Sequence, residues 1–344
     1  MPYRAGIIGL GFIGGADQVS GDALGQQVTE LDGTHLFALQ NHAEVELVAG
    51  SSRDEGRRGR FSERTGARTY ANWNEMLQSE ELDIVSVATY APQHAEMTVG
   101  CVEHGVRAIF CEKPIATTLA DAGQMVDRCH EAGVLLAINH NRRFNMAFRQ
   151  LRDRISAGEL GELTSINLQW GAGRLGNVGT HMFNAASMIS GQRVEAVSAL
   201  LDLSEKPDCR GPAFQDPGGW GMLRMEGGLI TTFDAADFAS VPFVIVVNGR
   251  EGRAVVSENM ISLERGGQAT DQWPILVEGT SSMDHAVSEI VDWLDDGGDF
   301  PDPADNSLHT LEVIVACHAS HHANAAWKVL PLEGEDRLLE IRSG

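Results

Sequence analysis

The first third of the chain alternates short apolar runs with amphipathic segments. The apolar runs are six or seven residues long and lack a strict alternation of apolar and polar residues, which indicates strands buried on both faces of a parallel sheet. Strands and helices alternating at this spacing predict right-handed βαβ units and an open, doubly wound α/β sheet. The predicted strands are 5–10, 45–50, 83–89, 106–112 and 134–140.

The amphipathic segments of this part contain the residues that begin and end helices. In the clearest of them Thr118 is a candidate N-cap, Asp121 lies in the first turn and Gly133 is a C-terminal stop. We therefore expect helices between the predicted strands. The helical segments are 34–44, 53–66, 72–80, 94–105 and 118–133.

After residue 140 the pattern changes, and strand-like segments follow one another. Residues typical of hairpin turns occur at 226–228 and 248–252. The pattern predicts a second domain of the α+β kind with a large, mostly antiparallel sheet. The strand-like segments are 163–170, 193–203, 219–236 and 243–258, and the helical ones are 143–161, 283–298 and 308–326.

Length and composition agree with two globular domains. At 344 residues the chain can form two cores, and we divide it into 1–138 and 139–344. The net charge of −22 argues against a nucleic-acid partner, because a phosphate backbone would be repelled. No apolar stretch reaches the roughly 18 to 20 residues that span a bilayer. We expect a cytoplasmic protein without membrane contact.

Cysteine and histidine spacing gives no sign of a disulfide framework or a metal site. The five cysteines form no C-x-x-C pair, so we expect reduced, mostly buried thiols. His318 and His322 have the i, i+4 spacing of metal ligands, but no third ligand is evident, and we expect no metal. The cysteines are Cys101, Cys111, Cys129, Cys209 and Cys317.

A glycine motif directly follows the first predicted strand. Gly9, Gly11 and Gly14 match G-x-G-x-x-G, with Phe12 and Ile13 between the second and third glycines. Such glycines allow a tight turn and let backbone N–H groups approach a pyrophosphate. The motif, its strand and the βαβ series together predict a dinucleotide cofactor.

The chain between this motif and the second strand is unusually long. Gly14 and Val45 are 31 residues apart, and residues 15–33, the inserted segment, precede the helical pattern at 34–44. The inserted segment is either a surface loop or a flap over the cofactor or substrate. Both interpretations stay open.

The end of the second strand distinguishes the two nicotinamide cofactors. An acidic residue there binds the ribose 2′-hydroxyl of NAD, whereas small polar residues beside arginine accommodate the 2′-phosphate of NADP. Ser51, Ser52 and Arg53 occupy this place, with Asp54 just beyond. The cofactor is therefore expected to be NAD(P), with NADP favoured over NAD.

An ordered series of segments resembles the Gfo/Idh/MocA oxidoreductases, the glucose–fructose oxidoreductase and inositol dehydrogenase group. The resemblance includes "GIIGLGFIGG", "DIVSVATYAPQH", "FCEKPIATT" and "NVGTHMFNAASMISG" and covers almost the whole chain. It implies a Rossmann domain followed by an α+β domain whose open-faced sheet packs into homodimers or homotetramers. The matching segments are 6–15, 46–54, 83–94, 110–118, 138–163, 177–191 and 283–320.

The resemblance also implies catalytic residues. The family's E-K-P motif falls on Glu112, Lys113 and Pro114, and Lys113 would bind the reacting oxygen and the nicotinamide ribose. Pro114 would be cis. The family's second element, an aspartate four residues before a histidine, keeps His181 here but has Asn177 in place of the acid.

Asn177 can position a hydroxyl but cannot take a proton, so the proton chemistry falls on His181 and Lys113. His181 suits a general base, and Lys113, as a cation, stabilises the developing alkoxide. The resemblance further implies two residues near the cofactor and two near the substrate. They are Thr89 and His94, and Arg143 and Trp170, respectively.

The function expected from these features is hydride transfer between NAD(P) and a hydroxyl carbon of a sugar, sugar derivative or cyclitol. Two alternatives remain. One is glycoside cleavage through transient oxidation of the sugar, with no net change of the cofactor. The other is a non-catalytic dinucleotide-binding regulator, against which the presence of both Lys113 and His181 argues.

Overall fold

The computed structural model of the chain describes residues 1–203, 211, 213–235, 241–257, 259–276 and 279–343. The chain divides into two compact units, each with its own sheet. The first unit comprises Met1–Ala116, Ala120–Phe144 and Gly279–Leu308, and the second comprises Thr117–Leu119, Asn145–Glu278 and His309–Gly344.

The first unit contains a parallel six-stranded sheet, as the sequence predicted. Its strand order β3-β2-β1-β4-β5-β6 is that of dinucleotide-binding folds, with the topological switch between β1 and β4. The pattern missed β3, which is only three residues long. The strands are β1 Tyr3–Ile8, β2 Val45–Ser51, β3 Arg68–Tyr70, β4 Ile84–Val87, β5 Ala108–Cys111 and β6 Leu135–Ile138.

The described helices, in chain order, are α1 Phe12–Gly15, α2 Gln18–Asp22, α3 His35–Asn41, α4 Glu55–Thr65, α5 Trp73–Ser79, α6 His94–Glu103, α7 Leu119–Ala132, α8 Asn141–Phe144, α9 Met146–Ser156, α10 Thr180–Ser190, α11 Ser282–Asp296 and α12 Asp305–His322. Every predicted helical segment contains a helix in the structure, but the pattern missed α1, α2 and α10, and the predicted segment 143–161 is divided into α8 and α9. None of these helices is long and apolar enough to cross a membrane.

The structure and the sequence-based division differ in the assignment of α11. The sequence division put this helix in the second domain, whereas Gly279–Leu308 belongs to the first unit. The reason is its apolar face, which packs against α3 and α8 and joins the core that contains Ile7 and Phe110. An amphipathic helix is stable only where it can bury that face. The buried residues of the face include Ala286, Val287, Ile290, Val291 and Leu294.

The described residues of the second unit form a nine-stranded, mostly antiparallel sheet, as predicted, with one parallel pairing between β7 and β10. Helices α9 and α10 pack together, and α10 contacts β7. The strands are β7 Leu163–Gln169, β8 Val194–Asp202, β9 Gly218–Met225, β10 Ile230–Asp234, β11 Val244–Gly249, β12 Gly252–Val256, β13 Met260–Arg265, β14 Asp271–Pro274 and β15 Lys328–Val329, in the order β14-β13-β12-β11-β7-β10-β9-β8-β15.

The cysteines follow the expectation as far as the structure describes them. Cys101, Cys111, Cys129 and Cys317 are buried and unpaired, and burial raises the pKa of each of these thiols. Buried thiols in the protonated form are poor nucleophiles. Cys209 lies outside the described residues.

Candidate active site

The glycine motif forms a tight turn after β1. Gly9 has a φ of +99°, and a Cβ there would lie 2.4 Å from the carbonyl oxygen of Ala88. A Cβ on Gly14 would lie 1.9 Å from the carbonyl oxygen of Gly9. At Gly11 a Cβ would meet only Nη1 of Arg57, at 3.9 Å. The turn therefore requires glycine for its own packing at two positions and leaves open space at the third, which fits the approach of a pyrophosphate.

The helix after this turn is interrupted. Helix α1 has four residues and ends at Ala16 in the left-handed conformation. Phe12 is buried, and a Cβ on Gly21 would lie 2.5 Å from its ring, so the inserted segment folds back on α1. The predicted contact of Phe12 and Ile13 with the cofactor stays a prediction.

The inserted segment, itself part of the first unit, is hydrogen-bonded to other elements of that unit near both of its ends. The carboxylate of Asp17 accepts hydrogen bonds from Nε and Nη2 of Arg60, at 2.7 and 2.9 Å. The carboxylate of Asp32 accepts one from the backbone N–H of Ser282, at 2.9 Å, at the start of α11. Between these contacts Val19 and Leu24 are exposed. The inserted segment is thus a surface segment held by hydrogen bonds near both of its ends. Its role as a flap over the cofactor or substrate stays a proposal.

The end of β2 has the polar composition that the sequence indicated. Ser51 is buried, Ser52 is half-buried and Arg53 is exposed. Asp54, the first acidic residue after the strand, accepts a hydrogen bond from the backbone N–H of Arg57 at 2.8 Å and is the N-cap of α4. Its carboxylate is therefore already engaged with the helix.

The turn that bears Lys113 follows β5 and is held from two sides. The carboxylate of Glu112 lies 3.3 Å from the backbone N–H of Lys113, which donates to it. On the other side, Nδ1 of His94 lies 2.9 Å from the carbonyl oxygen of Pro114, and its Nε2 lies 3.1 Å from that of Thr89. The peptide between Lys113 and Pro114 is cis, as the family resemblance implied.

His94 connects the loops that follow β4 and β5. Its side chain is fully buried, and this burial lowers the pKa of His94. A neutral imidazole can then bind the turn without carrying charge into the core. Thr89 lies against the glycine turn, because a Cβ on Gly9 would be 3.0 Å from its methyl group. Direct contact of either residue with the cofactor stays a prediction.

Behind Lys113, Glu112 belongs to a buried polar network. Its Oε1 lies 3.1 Å from Nε2 of His35 and accepts a hydrogen bond from Nδ2 of Asn139 at 2.6 Å. Nδ1 of His35 lies 3.0 Å from Oγ of Ser86 on β4. Burial alone would raise the pKa of Glu112, but His35, Lys113 and Asn139 together lower it to about 2. Glu112 is therefore an anion at neutral pH.

Sequence reasoning missed His35 as a site residue. It begins α3 directly after the inserted segment, where the side chain of Thr34 caps the helix. The capped start of the helix was visible in the sequence. The contact between His35 and Glu112 could not be seen in the sequence, because the two residues are 77 positions apart.

Arg143, a predicted substrate residue, is paired inside the first unit. Its Nε lies 3.1 Å from Oδ1 of Asp302, whose side chain is only 2% exposed. Asp302 also accepts a hydrogen bond from Nδ2 of Asn306 at 2.9 Å. The guanidinium is therefore held in one orientation, and contact with substrate stays a prediction.

Asn177 and His181 lie one turn apart in the second unit, and both are half-buried. Asn177 is in the π-helical turn Leu175–Gly179, and His181 is in the first turn of α10. The carboxylate of Asp216 accepts hydrogen bonds from the backbone N–H groups of Gly176 and Asn177, at 2.7 and 2.8 Å. Asp216 holds this turn, yet it lies in a loop without a motif and could not be identified as a site residue from sequence.

Trp170 packs against the turn Leu175–Gly179 that contains Asn177. It is 1% exposed, and its indole N–H donates to the carbonyl oxygen of Gly173 at 2.6 Å. Its ring packs against Phe183 and Phe233, and a Cβ on Gly179 would approach it to 3.2 Å. Packing is what the structure shows for Trp170, and a direct contact with substrate stays a prediction.

The histidines of α12 do not form a metal site with other residues in the part of the chain that the structure describes, where no group of three or more suitable ligands occurs. Burial lowers the pKa of His318 to about 4, with smaller effects from His322 and His321. Nδ1 of His321 accepts a hydrogen bond from the backbone N–H of Leu201 at 3.1 Å. These contacts are those of a structural helix.

Comparison with known proteins agrees with this architecture. The model of the family Gfo/Idh/MocA, described as an oxidoreductase family with an NAD-binding Rossmann fold, matches residues 3–140. Myo-inositol 2-dehydrogenase of Thermotoga maritima is 27% identical over 210 residues, which cover 57% of each protein. D-apiose dehydrogenase of Paraburkholderia graminis is 37% identical over 128 residues, which cover 37% of this chain and 34% of that protein. The chain thus spans about a third to somewhat over half of the length of these relatives.

A solved structure shows the same fold over nearly the whole chain. The aldose-aldose oxidoreductase from Caulobacter crescentus, complexed with glycerol, has a TM-score of 0.80 and 19% identity, covering 96% of this chain and 100% of that one. The strand order and the glycine turn after β1 agree with the NAD-binding Rossmann fold that the family model describes, and the Glu112-Lys113-Pro114 turn lies within the matched residues. Residues 3–140 thus match the Gfo/Idh/MocA oxidoreductase family, and the chain is similar to dehydrogenases of inositol and apiose.

Proposed function

We propose that the chain is an NAD(P)-dependent oxidoreductase that transfers a hydride between the nicotinamide and a hydroxyl carbon of a sugar, sugar derivative or cyclitol. The main support for this proposal is the position of two turns in one parallel sheet. The glycine turn follows β1 and the Lys113 turn follows β5, and these two strands flank β4. Ligands bind open sheets of this kind at the carboxyl ends of their strands. The names of the relatives, dehydrogenases of inositol and apiose, support the substrate class.

Each catalytic residue has a role that suits its chemistry. The bound nicotinamide supplies the hydride acceptor or donor. Lys113 would stabilise negative charge on the substrate oxygen, which favours the alkoxide from which hydride leaves. His181 would accept the hydroxyl proton, and Asn177, held by Asp216, would orient a substrate hydroxyl.

We further propose NADP as the preferred cofactor. Ser52 and Arg53 at the end of β2 offer a hydroxyl and a cation for a 2′-phosphate, and Arg57 lies near Gly11. Asp54 is engaged as the N-cap of α4, so its carboxylate is not oriented toward a ribose. Arg53 is exposed and can approach the phosphate without desolvation of a buried charge.

The exposed apolar residues of the second sheet lead us to propose a homodimer or homotetramer. Leu200 of β8 pairs with Trp220 of β9, and Met222 follows two residues later on the same face. Their exposures are 48, 46 and 42%. An apolar patch of this kind on a sheet face is typical of an interface between protein surfaces.

The experiment combines cofactor titration with a substrate panel. Tryptophan fluorescence is titrated with NADP and NAD, and polyols and aldoses are then assayed at 340 nm. We expect tighter binding of NADP, turnover on at least one substrate, and a loss of kcat on the order of 10²-fold or more in Lys113→Ala and in His181→Ala. Lys328→Ala, which removes another lysine, is the control and should keep activity.

Two results would contradict the proposal. Tight NAD binding without NADP binding would overturn the cofactor preference alone. Unchanged kcat in both the Lys113 and the His181 variants would overturn the catalytic assignment.

A further inference from the structure

A continuous row of buried polar groups runs beneath the Lys113 turn, entirely within the first unit. Ser86 on β4, His35 on α3, Glu112 after β5 and Asn139 after β6 are joined by contacts of 3.0, 3.1 and 2.6 Å. His35 and Ser86 are completely buried, and Glu112 and Asn139 are each 7% exposed. The row connects four separate elements of the fold and includes Glu112, the residue that precedes Lys113.

A buried carboxylate is stable as an anion only where hydrogen bonds and charge replace water. Glu112 has two such partners on Oε1, His35 and Asn139, while Oε2 faces the backbone N–H of Lys113. Removal of His35 would leave the carboxylate with one fewer donor in a site that is only 7% exposed at Glu112. The carboxylate would then take up a proton or turn toward another partner, and either change weakens its bond to Lys113.

We propose that His35 is a positioning residue for catalysis: its contact with Glu112 holds the carboxylate that fixes the backbone of Lys113. This inference rests on the proposed function of Lys113. His35 acts through Glu112 and need not contact the substrate or cofactor. His35 is the first residue of α3, and only its N-cap Thr34 separates it from the inserted segment. The conformation of that segment therefore affects the position of His35 and, through Glu112, that of the Lys113 turn.

The charged and titratable groups around Glu112 determine what a pH titration of this site would report. His35 faces it from α3, Lys113 from its own turn, and His94 and His140 from the loops after β4 and β6. Cys111 lies next to it on β5 with a raised pKa. Burial lowers the pKa of both His94 and His140, the latter to about 3, and so disfavours the charged form of each imidazole. A new titration between pH 5 and 8 that appears in His35→Phe and not in the control variant would report Glu112.

Three variants and a control test the inference on the full-length protein. His35→Phe keeps a ring against Phe110 but removes both nitrogens, and His35→Gln keeps one donor toward Glu112. Ser86→Ala removes the partner of Nδ1 and is a milder change, which serves if His35→Phe does not fold. Gln40→Ala alters an exposed residue of the same helix and is the control.

Steady-state kinetics are measured from pH 5 to 9, together with NADP binding. In His35→Phe we expect kcat to fall by up to about a hundredfold, with KM for NADP changed by less than about threefold, because the turn is misplaced rather than removed. The parent should already show an acidic limb from His181. In His35→Phe we expect a second inflection above pH 5, from Glu112, in addition to that limb. His35→Gln should recover most of kcat.

A second readout does not depend on turnover. The chain has lysines only at 113, 206 and 328, so reductive ¹³C-methylation gives a spectrum in which Lys113→Arg identifies the Lys113 signal. We expect this signal to shift in His35→Phe and to gain an inflection between pH 5 and 7. If no substrate is turned over by the parent protein, the proposed function fails, while this signal still decides whether His35 positions Lys113.

The inference is overturned by any of three results. The first is a pH profile and a Lys113 signal in His35→Phe that equal those of Gln40→Ala. The second is an equal loss of kcat in His35→Gln and His35→Phe, which would mean that the hydrogen bond to Glu112 is not what matters. If His35→Phe does not fold, the third is an unchanged Lys113 signal in Ser86→Ala.

Discussion

At the scale of single residues, a few groups hold the side chains that we propose as catalytic. Within the first unit, Glu112 and His94 hold the Lys113 turn from opposite sides, and within the second, Asp216 holds the backbone of Asn177. Each of these contacts reaches main-chain atoms, so a substitution at these positions should move the proposed catalytic residue without removing it. The buried charge of Glu112 also makes a stability prediction possible.

We expect Glu112→Gln to lower the free energy of unfolding by about 3 kcal/mol at pH 7, because the folded pKa of about 2 lies well below the usual 4.5. A lowered folded pKa stabilises the protein fully above the unfolded pKa. That stabilisation is lost as the pH falls from 4.5 towards 2. The difference in unfolding free energy between parent and variant should therefore shrink in this range, as measured by urea unfolding at several pH values.

Glu63→Gln, at an exposed position on α4, is the control and should change stability little. A difference between parent and Glu112→Gln that stays constant from pH 7 to pH 2 would show that the ionised carboxylate is not the source of the effect.

At the scale of elements, β1 and the glycine turn could be predicted almost completely, whereas the short helix α1 could not. The turn needs glycine because Gly9 and Gly14 approach other backbone atoms too closely for a side chain. The spacing of the motif predicts this requirement. The helices show the opposite case. The amphipathic pattern of α11 predicted a helix, but the pattern did not reveal that its partners are α3 and α8.

The glycine turn gives a sharp prediction. In Gly14→Ala the new Cβ would lie 1.9 Å from the carbonyl oxygen of Gly9, so the turn has to open. Overpacking of this kind costs about 1 to 3 kcal/mol, and we expect NADP affinity to fall roughly 5- to 150-fold. Fluorescence titration measures the change.

Gly123→Ala is a matched control, because the added Cβ meets no atom within 4 Å and the position lies inside α7. It should keep NADP affinity and raise helix stability by up to about 1 kcal/mol. Equal affinity in both variants would argue against cofactor binding at the glycine turn.

At the scale of the whole molecule, the chain consists of two units with different sheets, and the second sheet exposes apolar residues. A net charge of −22 keeps separate molecules apart in solution, so association requires a specific apolar contact. The pair Leu200 and Trp220, with Met222, is the patch from which we infer such a contact.

We expect Trp220→Glu to convert the oligomer to monomers, raising the dissociation constant about thirtyfold or more, because a buried tryptophan is a typical energetic centre of an interface. Size-exclusion chromatography with light scattering at several concentrations measures this. Val19→Glu, at an apolar residue of the inserted segment that is 56% exposed, should leave the oligomer intact. A parent protein that is monomeric at all concentrations would contradict the proposal.

Local spacing alone determined several features of this protein: the buried parallel strands, the glycine turn and the small polar residues after β2. Features of this kind can be predicted from the sequence because each depends on neighbouring residues and on backbone geometry. The Glu112-Lys113-Pro114 motif was identified through the family resemblance. The folded structure was needed for His35 beside Glu112, Asp216 beneath Asn177, the burial of Trp170 and the place of α11 in the first unit. These contacts join residues from about 40 to more than 200 positions apart, and only packing, through competition for buried apolar surface and hydrogen-bond partners, selects them.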